Sequence, residues 1–202
     1  MPLGGGERVP LGGGERASIR FLGVCDMRVL VVYESMYGNT RHVAEAIARG
    51  AESGATVRVV AASDAHEVNP SEYDLLVVGG PTHIHGMSRE STRRGAVEAA
   101  QQPDSGLKVE PDAESEGVRE WLASLESSGG RAAAFDTRLD ASPLLTGRAS
   151  KTIARKLRHL GFSAAAEPES FLVDKETNLE AGEEERAERW GRSLVTSEEG
   201  VP

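Results

Sequence analysis

The run Val29-Leu30-Val31-Val32 restricts the fold more than any other feature of this chain. Four consecutive apolar residues offer no polar face, so a strand made of them is buried on both sides, as in the centre of a parallel sheet. Leu75-Leu76-Val77-Val78 repeats the pattern. Parallel strands need long crossovers, and the intervening residues supply one. Residues 39–52 place Val43, Ala44, Ile47 and Ala48 on one helical face, with Gly50 and Gly54 marking its end. Residues 56–61 read as a second strand. Residues 73–78 form the third, stopped by Gly79-Gly80-Pro81.

The alternation continues to the end of the chain. A helix is predicted over 91–100. Residues 103–117, rich in Pro, Gly and acid, read as an exposed insertion. Val118, Trp121, Leu122 and Leu125 then sit at i, i+3, i+4 and i+7, the spacing of a short amphipathic helix. Residues 131–135 give a fourth strand filled by alanine. Ile153, Leu157 and Leu160 share one face of a basic helix ending at Gly161. A fifth strand lies between Phe162 and Val173, broken around Pro168, and Ala187, Trp190 and Leu194 mark the last helix. Five strands alternating with helices imply an α/β fold in three layers: one parallel sheet, right-handed crossovers and helices on both faces.

Residues 2–8 read PLGGGER and residues 10–16 read PLGGGER again. Glycine-rich tandem copies bury little, so residues 1–26 are expected to lie outside the fold, either as an arm or as the product of an upstream start with Met27 the natural beginning. Residues 27–202 then form one domain. With 39% hydrophobic residues the 202-residue chain can bury one core, and with 4% aromatics its filling must be Val, Leu, Ile and Ala. A net charge of −9 argues against a nucleic-acid partner, whose phosphates need a basic face. It suits solubility and could steer the protein to a basic partner. The single cysteine, Cys25, allows no intrachain disulfide and accords with a cytoplasmic location. No apolar run approaches a membrane span.

Ligands of such sheets bind beyond the carboxyl ends of the strands. After the first strand comes Glu34-Ser35-Met36-Tyr37-Gly38-Asn39-Thr40, running straight into a helix. Hydroxyls at Ser35, Tyr37 and Thr40, with free amides at the helix start, make a cradle for an anion, and Gly38 allows close backbone approach. A capped helix without a ligand is the plainer alternative. There is no Gly-Lys-Ser/Thr and no Gly-x-Gly-x-x-Gly, which argues against a P-loop nucleotidase and a dinucleotide fold. The third strand ends without an acid, unlike a phosphorylated receiver.

The segment VLVVYESMYGNT resembles the phosphate loop of the flavodoxins, in which Ser35, Tyr37, Gly38 and Thr40 fill the motif positions and Met36 and Asn39 lie between them. Gly79-Gly80-Pro81-Thr82 resembles the flavodoxin turn beside the isoalloxazine ring. The resemblance implies a five-stranded sheet in the order 2-1-3-4-5 and one FMN as cofactor. Its phosphate would be held by Ser35 to Thr40. Its ring would be faced by Pro81, Thr82, His83, Ile84, His85 and Gly86, and closed by Asp136, Thr137 and Arg138 after the fourth strand. Ser-Met-Tyr-Gly is also similar, locally, to FMN-dependent quinone reductases named for tryptophan-repressor binding.

The resemblance further implies an oxidoreductase or electron-transport flavoprotein, serving either a redox partner protein or a small-molecule acceptor. The alternative is a partner-binding module of the same fold that retains no FMN. His83 and His85 offer two imidazoles without a third ligand, so they are read as lining the flavin or substrate opening and not as a metal site. Arg89, Arg93 and Arg94 at a helix start read as a solvated face. Asp136 either accepts hydrogen bonds from ribityl hydroxyls or caps the next turn. No Ser-His-Asp or Cys-His arrangement is recognisable. Many flavodoxins press the ring between aromatic side chains. Here the ring-facing loops offer only Phe135, which is expected to point down into its strand.

Overall fold

The computed structural model describes residues 27–83, 86–127 and 129–196, so the expectation for residues 1–26 lies outside the described residues. β1 (Arg28–Tyr33) leads into α1 (Asn39–Ala51), β2 (Thr56–Ala61), two 3-10 turns and β3 (Leu75–His83). β3 turns back into the two-residue β4 (Gly86–Met87), followed by α2 (Glu90–Ala100) and α3 (Val118–Ser124). Then come β5 (Gly130–Leu139), the short α4 (Pro143–Thr146), α5 (Ala149–His159), β6 (Phe162–Ala164), β7 (Glu169–Val173) and α6 (Glu183–Thr196).

The sheet runs β2-β1-β3-β5-β6, with β7 also on β5, and every pairing is parallel except that of β4 with β3. β6 pairs with residues 130–132 of β5 and β7 with residues 135–139, so the two are halves of one interrupted edge strand. Counted so, the order is the expected 2-1-3-4-5, and the three-layer α/β fold stands. The break falls beside Pro168, which has no N–H for a ladder. Arg148 pins it, donating from Nε to Ser170 Oγ (2.9 Å) and from Nη2 to the Pro168 carbonyl (2.5 Å).

Period-two alternation divides the apolar runs between two cores. Val29, Val31, Leu75 and Val77 pack under α1 and α6 through Val43, Ile47, Ala187 and Leu194. Leu30, Val32, Leu76 and Val78 pack against α3 and α5 through Trp121, Leu122, Ile153 and Leu157. Both runs are at most 1% exposed. Each such side chain contributes about 1.5–3 kcal/mol on burial.

α1 ends at Ala51, between Gly50 and Gly54 as expected; Gly50 lies in its last turn, where a Cβ would meet the Glu188 carbonyl of α6 at 1.9 Å, so the position also serves close helix crossing. One glycine expectation is corrected. Gly79, Gly80 and Pro81 do not stop β3, which continues to His83. Gly79 faces Phe135 across the sheet, where a Cβ would lie 2.1 Å from the ring. Its carbonyl accepts from Glu34 N, so Pro81, two residues on, faces the same side beyond the end of β1 and its missing N–H costs no ladder bond. The acidic segment 103–117 carries no helix or strand and is exposed along much of its length, yet Ala113 is buried. No helix among the described residues is long and apolar enough to cross a membrane.

Candidate functional site

The turn after β1 starts α1 with Gly38 as N-cap at φ 91°, a left-handed conformation that favours glycine. Gly38 N donates to Ser35 Oγ (3.1 Å), which fixes the turn. α1 has no acid in its first turn. The amides of Asn39, Thr40 and Arg41 find no protein acceptor among the described residues. Thr40 Oγ1 and Thr137 Oγ1 lie 2.7 Å apart, both buried. One hydroxyl donates to the other, and the second keeps a proton with no acceptor among the described residues. Orphan amides at a helix start and a buried spare hydroxyl proton are a donor set without an acceptor, which fits the phosphate of FMN.

A cavity of about 200 Å³ opens from this turn. Met36, Tyr37, Asn39 and Thr40 form one end, Pro81, Thr82 and His83 a second wall, and Thr137, Arg138 and Leu139 a third. Arg138 Nη1 donates to the carbonyls of Leu139 (3.1 Å) and Ala141 (2.7 Å), while its Nε is buried without a partner. That orphan donor suits a carbonyl-bearing ring. The cavity is smaller than the roughly 300–1,000 Å³ of an enclosed cofactor site, so this open cleft would cover one part of FMN and leave the rest at its rim. Burial holds the His83 imidazole below its usual pKa and therefore neutral.

Several expected roles are placed differently. The Tyr37 hydroxyl donates to the Ala96 carbonyl of α2 (3.0 Å), so it braces the turn and is not free for phosphate. Asp136 is fully buried; its Oδ2 accepts from Ser150 N (2.7 Å) and Thr82 Oγ1 (3.1 Å), capping α5 and tying it to β3. Oδ2 therefore fills the capping role, while Oδ1 is buried with no partner among the described residues, an acceptor still available to a ribityl hydroxyl. Gly86 lines a neighbouring cavity, and Ile84 and His85 lie outside the described residues. Phe135 points into the core, edge-on to Phe171 and Trp190. The direction in which Gly38 lacks a Cβ is taken by Glu110 Oε1, 3.0 Å from where that atom would sit, and not by open space for a phosphate. Glu110 N donates to the Met36 carbonyl (2.8 Å), and its carboxylate accepts from Arg41 Nε and Nη2 (3.2 and 3.1 Å). The acidic insertion thus braces the outside of the phosphate turn.

The sequence reading missed a further wall. Val173, Asp174, Lys175 and Thr177 line the cleft, and Asn39 Nδ2 donates to the Thr177 carbonyl (2.6 Å). The signal was available: this loop follows the last strand, and all carboxyl ends of a parallel sheet face one edge. It also missed a buried ionic group. Arg93 is 3% exposed, not solvated; Nη1 donates to Glu120 Oε2 (3.1 Å) and Ser88 Oγ (3.2 Å). Glu34 beside it accepts from Val118 N (3.0 Å), and its burial raises the carboxyl pKa against the opposing Val118 amide and Arg93 charge. Among the described residues no group of His, Cys, Asp and Glu is arranged to hold a metal ion.

The flavodoxin family model matches residues 31–139, more than half of the chain and all of the cleft but its last wall. Solved structures agree on the fold. A flavodoxin from the domain Archaea is 22% identical over 84% of this chain and 96% of its own, with TM-score 0.54. Flavodoxin 1 from Bacillus cereus is 21% identical over 84% and 98%, with TM-score 0.57. A Streptococcus pneumonia TIGR4 flavodoxin is 22% identical over 83% and 97%, with TM-score 0.53. No curated protein sequence matches. The chain therefore belongs to the flavodoxin family, whose cofactor is FMN.

Proposed function

We propose that this FMN-binding redox protein reduces a small acceptor in two-electron steps, as a quinone reductase does, in preference to one-electron carriage. One observation carries the reading: among the described lining residues the only Phe, Tyr or Trp is Tyr37, whose hydroxyl is held on α2, and two walls present a cation, Arg138 and Lys175. Bound FMN would supply the electron-accepting ring. Aromatic cover and acidic surroundings disfavour negative charge on a reduced flavin. A guanidinium and an ammonium do the reverse, by the Coulomb attraction that also shifts a pKa. Pro81 and Leu139 give the walls apolar surface, while Thr40, Thr137 and the first amides of α1 anchor the phosphate end.

The test is a stepwise reductive titration of the FMN-loaded protein. The visible spectrum should bleach in a single two-electron stage, and Arg138→Ala should lower the midpoint by ~30 mV, which for this couple is about 1.4 kcal/mol. Two resolved one-electron stages, the second at very low potential, support the carrier reading instead. A purified protein that is colourless and takes up no FMN supports the cofactor-free partner-binding module.

A further inference from the structure

The hairpin that forms one wall of the cleft forms the wall of a second cavity on its other side. This one measures about 440 Å³ and is lined by His83, Met87, Arg89, Ser91, Thr92 and Arg119, with Gly86 at the turn. His83 lines both cavities. No carboxylate is among the described lining residues.

The arginines around this hairpin sort by partner. Arg93 pairs with Glu120 and Arg94 with Glu90 (2.7 Å). Neither lines the cavity. Arg89 and Arg119, which do line it, form no ion pair among the described residues. Arg119 is held by neutral groups: Nε donates to the Ser88 carbonyl and Nη2 to the Met87 carbonyl, each at 2.7 Å. Its Nη1 has no protein partner among the described residues. A guanidinium clamped by two carbonyls is fixed in direction with its charge uncompensated, in a chain of net charge −9.

We propose that this cavity binds the carboxylate or phosphate of a small organic anion, with Arg119 Nη1 and Arg89 as its charged donors and the Ser91 hydroxyl beside them. The volume is that of a small-molecule site, and the acidic surface elsewhere makes a nucleic acid a poor occupant. If the reading above holds, this anion is the anchored end of the acceptor that meets the cleft across His83. The anion site itself does not depend on that reading.

The experiment is an amide NMR titration of the protein, with and without FMN, using benzoate, phenyl phosphate and neutral benzamide. Saturable shifts confined to residues 86–92 and 119 with one or both anions, and none with benzamide, are expected. Arg89→Gln, which breaks no ion pair among the described residues, should weaken anion binding about fivefold or more, and Arg119→Gln should do the same if its spectrum remains folded. Benzoate alone binding identifies a carboxylate site, and phenyl phosphate alone a phosphate site. Absence of saturable shifts with both anions, equal binding of benzamide, or unchanged affinity in Arg89→Gln overturns the proposal. Failure to take up FMN is read separately, from the visible spectrum, and bears on the redox reading alone.

Discussion

Gly79→Ala tests how the fold carries β3 through to the cleft. An added Cβ would lie 2.1, 2.2 and 2.3 Å from Phe135 Cζ, Cε1 and Cε2, against an ordinary contact of 3.4–4 Å. The ring tip would have to retreat by more than an ångström. Phe135 is 0% exposed and packs edge-on against Phe171 (6.2 Å) and Trp190 (6.4 Å), which also touch each other, so its retreat must push a packed ring cluster. Overpacking a filled core costs about 1–3 kcal/mol, and the trapped ring places this case near the upper end. For a domain of this size that is a Tm fall of roughly 6–12 °C. Urea unfolding gives the energy, and Phe135→Leu gives the control. If the ring is the obstacle, the double variant should lose at least about 1 kcal/mol less than the two single losses together. FMN affinity should fall with stability, because Pro81, Thr82 and His83 ride on the same strand. Additive losses within about 0.5 kcal/mol, or a Gly79→Ala protein as stable as its parent, would refute the reasoning.

Gly38→Val should abolish measurable FMN binding while far-UV dichroism stays that of an α/β fold, because a branched residue at φ 91° is strained and its Cβ meets Glu110 Oε1 at 3.0 Å; FMN titration by fluorescence quenching checks it, and parental affinity contradicts it. His83 contributes a pH dependence. Its folded pKa is depressed by burial, so its contribution to stability is present above the usual 6.5 and is lost as pH falls through the folded value. Chemical denaturation at about pH 7.5 and below about 6 should show His83→Gln losing less stability on acidification than the parent, and parallel losses would contradict the assignment.

The sequence carried the parts of the site that depend on local chemistry. The VLVV and LLVV runs could only be central strands, and a hydroxyl-rich turn entering a helix had to lie at their carboxyl edge. Side-chain direction was harder to read. Tyr37 looks like a phosphate donor by position, but its length takes its hydroxyl to α2. Arg93 reads as solvated because nothing local announces Glu120, twenty-seven residues away. Asp136 divided into two alternatives, and the cap on α5, which packing alone supplies, occupies only one of its two oxygens. Lys175 and Thr177 belong to the cleft through packing of the last loop against α1, which no periodicity encodes. Glu110 was hidden in a segment whose composition spoke only of exposure.

The hydroxyl pair Thr40–Thr137 has a mechanical consequence. It joins the first turn of α1 to β5 at the base of the cleft, and the Asn39–Thr177 bond fastens the final loop to the same helix. The base and one bank are therefore both tied to the start of α1. Across from them runs residues 139–147, where Leu144 is 91% exposed and little side-chain packing resists displacement. Displacement by a bound cofactor is therefore expected to fall on residues 139–147 before it falls on the start of α1. Arg138, by bonding the carbonyls of Leu139 and Ala141, ties the start of that segment to β5, so the cleft has one firmly braced side and one lightly held side.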